Sequence, residues 1–155
     1  MSQEENILSE LTGRFNFLEG KINILRQRRV SLEVGYDKFP EVFDYLVNKM
    51  GFNFLHTITG LDEGERIFLI YHLSPDGRIV LNLKTSVLKA NPIVKSVMPI
   101  FLNAEIYERE IADLLGVKME GLPIGHRYPL TDDWPVNEFP LRKDWKPHNT
   151  EEGVS

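Results

Sequence analysis

Ile7, Leu8, Leu11 and Phe15 recur at helical spacing, and Gly13 or Gly20 can end the segment, which predicts a short amphipathic helix at the start of the chain. From Ile22 to Val34 the spacing shifts to alternation. Ile22, Ile24, Val30, Leu32 and Val34 are apolar and Gln27-Arg28-Arg29 separates them, so this stretch reads as two strands or one long bent strand, closed by Gly35. Phe39, Val42, Phe43, Leu46 and Val47 return to one helical face between Phe39 and Met50, with Pro40 in a first turn and Gly51 as the stop. Strands are predicted at Phe52 to Ile58, Arg66 to Leu73 and Arg78 to Lys84. Pro75-Asp76-Gly77 joins the last two as a hairpin. Phe68 and Ile70 on one strand, and Ile79, Leu81 and Leu83 on the other, are expected to face the Phe39 to Met50 helix. Asn91-Pro92 to Phe101 reads as irregular or shortly helical. The fold class is α+β, a mixed sheet packed by helices and followed by an extended, proline-rich C-terminal tail.

The strongest pattern lies between Asn103 and Leu115. At 100° per residue Glu105, Arg109 and Asp113 fall on one stripe, and Tyr107, Ile111, Leu114 and Leu115 fall on the opposite side. Asn103 can cap the start and Gly116 can take the left-handed position at the end. Glu105–Arg109 and Arg109–Asp113 are both i,i+4 pairs, each contributing about 0.2–0.5 kcal/mol when exposed. A solvated charged face is the ordinary reading of such a ladder. Asp113 sits against it, because the helix dipole disfavours a carboxylate in the last turn and so points to a further partner. Beyond Gly121, Pro123, Pro129, Pro135, Pro140 and Pro147 forbid a long helix or a central strand, yet the segment carries both tryptophans, Trp134 and Trp145, with Tyr128, Phe139, Leu141, Arg142 and Lys143. Such aromatics are interface anchors when a chain cannot bury them itself. Before Trp134 the tail can equally fold back over its own sheet; after Pro140 wrapping on a partner is the expectation. The division is therefore 1–121, an α+β domain ending in the charged helix 103–115, and 122–155, an extended partner-wrapping tail.

Composition narrows the function classes. A chain of 155 residues with 42% hydrophobic and 26% charged residues fits one folded domain. A formal net charge of −5 disfavours general nucleic-acid binding. Absence of cysteine excludes disulfides, cysteine-held iron–sulfur clusters and thiol catalysis within the chain. Apolar runs such as Ile67 to Tyr71 fall far short of the roughly 20 residues a membrane span needs, and the acidic start MSQEEN is unlike an export signal. His56, His72, His126 and His148 show no paired metal spacing, and no phosphate-cradling glycine loop occurs. Glu108, Glu110 or Asp113 could act as an acid–base group in a small free-standing enzyme, but no histidine or nucleophile stands nearby in sequence. Arg26-Gln27-Arg28-Arg29 leaves an RNA-binding module as a further alternative.

Two blocks then narrow the reading. Glu108-Arg109-Glu110-Ile111-Ala112-Asp113-Leu114-Leu115-Gly116 resembles the signature of the 30-kilodalton subunit family of respiratory complex I, which includes the equivalent subunits of membrane-bound, energy-converting nickel–iron hydrogenase complexes. Pro140-Leu141-Arg142-Lys143-Asp144-Trp145 resembles a second family block, in the same order and separation. After Gly121 the family usually has a His-Pro pair and an arginine four residues past the histidine. This chain has Leu122-Pro123 and His126-Arg127, with Arg127 the candidate for the arginine's role in a shifted register. Asp132-Asp133-Trp134-Pro135 is similar to the hydrogenase-related branch; a quinone-linked NADH branch and a sulfur-reducing branch are the alternatives.

The resemblance implies a non-catalytic subunit with no cofactor of its own, docked in a peripheral arm on the cytoplasmic side of the cell membrane. Its implied partners are a hydrogenase-like large subunit and an iron–sulfur subunit, with the membrane arm contacted indirectly and no nucleic acid. Iron–sulfur clusters, and in the hydrogenase branch nickel and iron, belong to those partners. Pattern and resemblance together mark Glu105, Glu108, Arg109, Glu110, Asp113, Arg127, Trp134, Leu141, Arg142, Lys143, Asp144 and Trp145 as the partner interface.

Overall fold

The computed structural model describes residues 1–148. Helix α1 (Gln3–Arg14) opens on a capping box in which Ser2 Oγ accepts from the Glu5 N–H at 3.1 Å and Glu5 Oε2 accepts from the Ser2 N–H at 2.8 Å. The stretch after Gly20 resolves into two strands, β1 (Ile22–Arg26) and β2 (Arg29–Glu33), joined by a tight turn with Arg28 at φ 64°. Helix α2 (Phe39–Asn48) carries Pro40 in its first turn and runs out before Gly51, which holds φ 74°. Strands β3 (Phe54–Asp62), β4 (Arg66–Ser74) and β5 (Val80–Leu88) follow. Two three-residue strands, β6 (Ile93–Lys95) and β7 (Lys118–Glu120), flank helix α3 (Ala104–Leu115).

The main sheet has the order β1-β2-β5-β4-β3, antiparallel except where β2 lies parallel to β5, so the expected mixed sheet is present. Val30 and Leu32, then Ile67, Leu69, Tyr71 and Leu73, then Leu81, Leu83 and Val87 form its buried face, in one cluster with Leu11, Phe43, Leu46, Ile111 and Leu115 from the helices. The placing of Phe68 and Ile70 on the helix side is therefore corrected. They are half-buried on the other face, and Lys84 Nζ lies 4.4 Å from the Phe68 ring centroid. The reason is physical: Ile67 to Tyr71 is apolar at every position, so alternation cannot choose a side, and pairing with β3 and β5 does. Within the segment expected to be irregular from Asn91 to Phe101, Ile93–Lys95 forms β6, which pairs in parallel with β7 as Ile93 with Lys118 and Lys95 with Glu120; residues 96–101 are irregular as expected.

Candidate functional site

Helix α3 turns Ala104, Glu108, Ile111 and Leu115 inward. It comes close to the sheet at Gly60, where an added Cβ would lie 2.5 Å from Leu115 Cδ1 and 3.3 Å from Ile111 Cγ1. Asn103 does not cap the helix through its side chain. Its Nδ2 donates instead to the Leu55 carbonyl at 2.9 Å, tying the helix start to β3. At the other end Gly116 adopts φ 74° as the pattern predicted, and its N–H donates to the Ala112 carbonyl at 3.1 Å.

Glu108 is corrected from an interface residue to a core residue. It is fully buried, with Oε2 accepting from Ser96 Oγ at 2.6 Å and Oε1 accepting from the Val97 N–H at 2.7 Å. Burial pushes its pKa up against the pull of those two bonds. Its task is to fasten the 96–97 segment, which leads out of β6, onto α3. One turn away Glu105 Oε1 pairs with Arg109 Nη2 at 2.9 Å, and the same nitrogen donates to the Pro123 carbonyl at 2.7 Å. The expected Arg109–Asp113 pair does not form. Asp113 accepts instead from Arg127 Nε at 3.0 Å and from the Leu130 N–H at 2.8 Å. The unfavourable dipole position thus has its partner, supplied by the chain's own next loop.

From residue 121 to residue 148 there is no helix or strand, as the prolines require. As far as residue 148 the polar contacts of this segment return to its own domain; residues 149–155 lie outside the described part. Leu141 N–H donates to the Leu114 carbonyl at 3.0 Å, and Arg142 Nε donates to the Leu115 carbonyl at 2.7 Å. A cation thereby covers the free carbonyls at the end of α3. Gly116 admits this approach, since a Cβ there would lie 2.5 Å from the Phe139 ring and 2.8 Å from Arg142 Nη2. Farther on, the Lys143 N–H donates to Asp62 Oδ2 at 2.7 Å. Lys89 Nζ bridges Asp62 at 2.7 Å and Asp144 at 3.3 Å. Burial pushes Asp62 up, but the bonds from Lys89, Lys143 and Gly64 outweigh it and hold the carboxyl at about 2.

The two tryptophans pack on each other, ring centroids 5.7 Å apart, and both are half-buried. Trp134 Nε1 donates to the Glu138 carbonyl at 2.9 Å, and Arg127 Nη1 donates to the Trp134 carbonyl at 2.7 Å. Of the remaining sequence-predicted residues, Glu110, Leu141, Lys143 and Asp144 are exposed, whereas Glu105, Arg109, Asp113, Arg127, Arg142 and Trp145 are half-buried. The structure adds Leu102, in the turn just before α3, and Ile106, in its first turn, 73% and 48% exposed and lining one groove with Tyr128. Two apolar residues standing at the start of a charged helix were the available signal. Asp62 and Lys89 had none, since the contact that gives them meaning comes from residue 143.

Among the described residues no helix is long and apolar enough to cross a membrane, and no group of three or more His, Cys, Asp or Glu side chains could hold a metal ion.

Fold and site together define a subunit-type α+β domain of complex I-like oxidoreductases. The chain belongs to the family described as respiratory-chain NADH dehydrogenase, 30 Kd subunit, whose model matches residues 32–151. It is 34% identical over 143 residues to an F(420)H(2) dehydrogenase subunit of Methanosarcina mazei, covering 90% of each chain. It is also 34% identical over 145 residues to an NADH-quinone oxidoreductase subunit of Moorella thermoacetica, covering 92% of this chain and 95% of that one. A chain of the membrane-bound sulfane sulfur reductase, an archaeal respiratory membrane complex, superposes with a TM-score of 0.80 at 25% identity over 94% of this chain and 86% of that one.

Proposed function

We propose that this chain is a peripheral-arm subunit of a complex I-like, membrane-bound, energy-converting oxidoreductase. It holds no cofactor itself. It supports a hydrogenase-like large subunit and an iron–sulfur subunit, on the cytoplasmic side, while electrons pass through their clusters and ions move across the membrane. The observation that carries this reading is the fastened block of α3 and tail. The charges of Arg109, Asp113 and Arg127 are consumed inside the block, whereas Leu102, Ile106 and Leu141 are 73%, 48% and 56% exposed. These exposed apolar side chains stand beside exposed Glu110, Lys143 and Asp144, and apolar side chains with a polar rim are what the core of a subunit interface uses. Because the block is ordered before docking, association loses little further freedom.

Asp132-Asp133-Trp134-Pro135 and the likeness to the sulfane sulfur reductase chain favour a hydrogenase-type or sulfur-reducing complex. The Moorella relative supports a quinone-linked NADH complex as the second reading. Purification of the tagged chain from its native membrane fraction, followed by mass spectrometry, tests the proposal. A hydrogenase-like large subunit and iron–sulfur proteins are the expected companions; recovery as a lone monomer overturns it.

A further inference from the structure

Four arginines, Arg26, Arg28, Arg29 and Arg78, gather at one end of the main sheet, in a chain whose formal net charge is −5. Arg26 and Arg29 are paired directly across the β1–β2 hairpin, where like charges oppose one another. Arg28 occupies the turn between them. The Val80 N–H donates to the Arg28 carbonyl at 3.0 Å, so Arg78, two residues earlier, comes to the same end. None of the four takes part in an ion pair among the described residues. The nearby acids are committed elsewhere: Glu4 Oε1 accepts from the Arg28 backbone N–H, and Asp76 Oδ1 accepts from the N–H groups of Arg78 and Ile79. Their charge offsets part of the field without engaging a guanidinium.

Two further observations separate this cluster from ordinary surface charge. Arg28 stands at φ 64°, a left-handed turn position that glycine or asparagine occupies without strain, so a long cation is held there against backbone preference. Beside it, the edge strand β1 leaves Ile24 and Leu25 42% and 59% exposed. Charges on an edge strand can serve to repel stray pairing. That role accounts for Arg26; it accounts neither for an arginine in a strained turn nor for Arg78, which precedes the interior strand β5.

We infer that this end of the sheet docks an acidic segment of a neighbouring subunit, with carboxylates meeting Arg26, Arg28, Arg29 and Arg78 and apolar side chains resting on Ile24 and Leu25. The inference rests on the subunit reading above but concerns a second surface, distinct from α3. Arginine suits it because its fork binds carboxylates in bidentate fashion. A protein segment is favoured over RNA because β1 and β2 carry no aromatic side chain on which a base could stack, and the rest of the chain repels a polyphosphate.

The test places a photoreactive benzoylphenylalanine in place of Gln27 in the tagged full-length chain, irradiates the purified native complex and sequences the cross-linked peptide. The expected product joins Gln27's position to a segment of another subunit rich in Asp and Glu. Adding Arg28→Gly is expected to reduce the yield about fivefold, while the free chain melts no lower than before because the turn strain is relieved. Cross-linking to lipid, to RNA or to a segment without acidic residues overturns the inference, as does a yield unchanged by Arg28→Gly. An intact complex with no cross-link overturns this inference alone; failure of the unmodified chain to purify with any partner overturns the subunit reading and this inference with it.

Discussion

The backbone N–H of Lys143 donates to the carboxylate of Asp62 at 2.7 Å, and the two residues are 81 positions apart in sequence. Through this bond the tail is fixed at Lys143 to the end of β3, while Lys89, just beyond β5, grips the same oxygen. Asp62 is thus the acceptor on which three segments converge. Replacing it by asparagine removes the charge that Lys89 faces and weakens the hold on the tail. We expect a loss of about 2–3 kcal/mol in a urea denaturation series, with faster exchange of the Lys143 amide proton than in the parent.

Acid reproduces part of that effect. The Asp62 carboxyl titrates at about 2 in the folded chain against an ordinary value of 3.8. A depressed pKa means its contribution is present above pH 4 and is lost as the pH falls from 4 toward 2, amounting to roughly 2 kcal/mol. Glu108 acts in the opposite sense: burial raises its pKa, so its contribution is present at low pH and declines as the pH rises through the raised value. Weakening of the tail on acidification therefore comes from Asp62. Emission from Trp134 and Trp145, both in this segment, should shift between pH 4 and 2 and stay constant from 6 to 5.

Arg127 and Arg109 flank the same stripe of α3 but carry unequal burdens. The Asp113 side chain is 8% exposed and the Glu105 side chain is 42% exposed. Arg127→Ala strands a buried carboxylate and should cost about 2–3 kcal/mol, whereas Arg109→Ala leaves Glu105 to water and should cost about 1 kcal/mol. Thermal melts of both variants decide it; an equal loss contradicts the assignment of Asp113 to Arg127.

Gly116 combines a left-handed backbone with close approach of the tail, and the two effects can be separated. Gly20 has a similar φ of 77° with nothing within 4 Å of an added Cβ. Gly20→Ala should cost about 1 kcal/mol from the backbone alone. Gly116→Ala should cost about 3 kcal/mol, since Phe139 must also move. Chemical denaturation of the two variants side by side measures the difference.

Much of this architecture was legible in the sequence because local pattern and global packing agree there. Phe39 and Leu46 on one helical face, Pro75-Asp76-Gly77 between two strands, and Gly116 closing α3 each obey a local rule that the packing also needs. Phe68 and Ile70 were misplaced because every neighbour of theirs from Ile67 to Tyr71 is apolar, so periodicity carried no information about facing. Strands β6 and β7 are three residues each and exist through pairing with one another. Glu108 looked like one acid among several on a charged helix; its burial depends on Ser96 and Val97, which only the fold brings near. The family motifs located the site better than they explained it. Asp113 and Arg142 lie in those blocks, and each turned out to fasten the chain to itself, through Arg127 and the Leu115 carbonyl respectively.

We propose that the α3 surface bearing Ile106 docks a partner subunit. Ile106→Asp in the tagged chain tests it most directly, because Ile106 is exposed and contributes nothing to the buried cluster. The expected result is an unchanged melting temperature for the free variant and at least a tenfold loss of co-purified large subunit, a loss of about 1.4 kcal/mol or more in association. Full recovery of the complex with Ile106→Asp would contradict it.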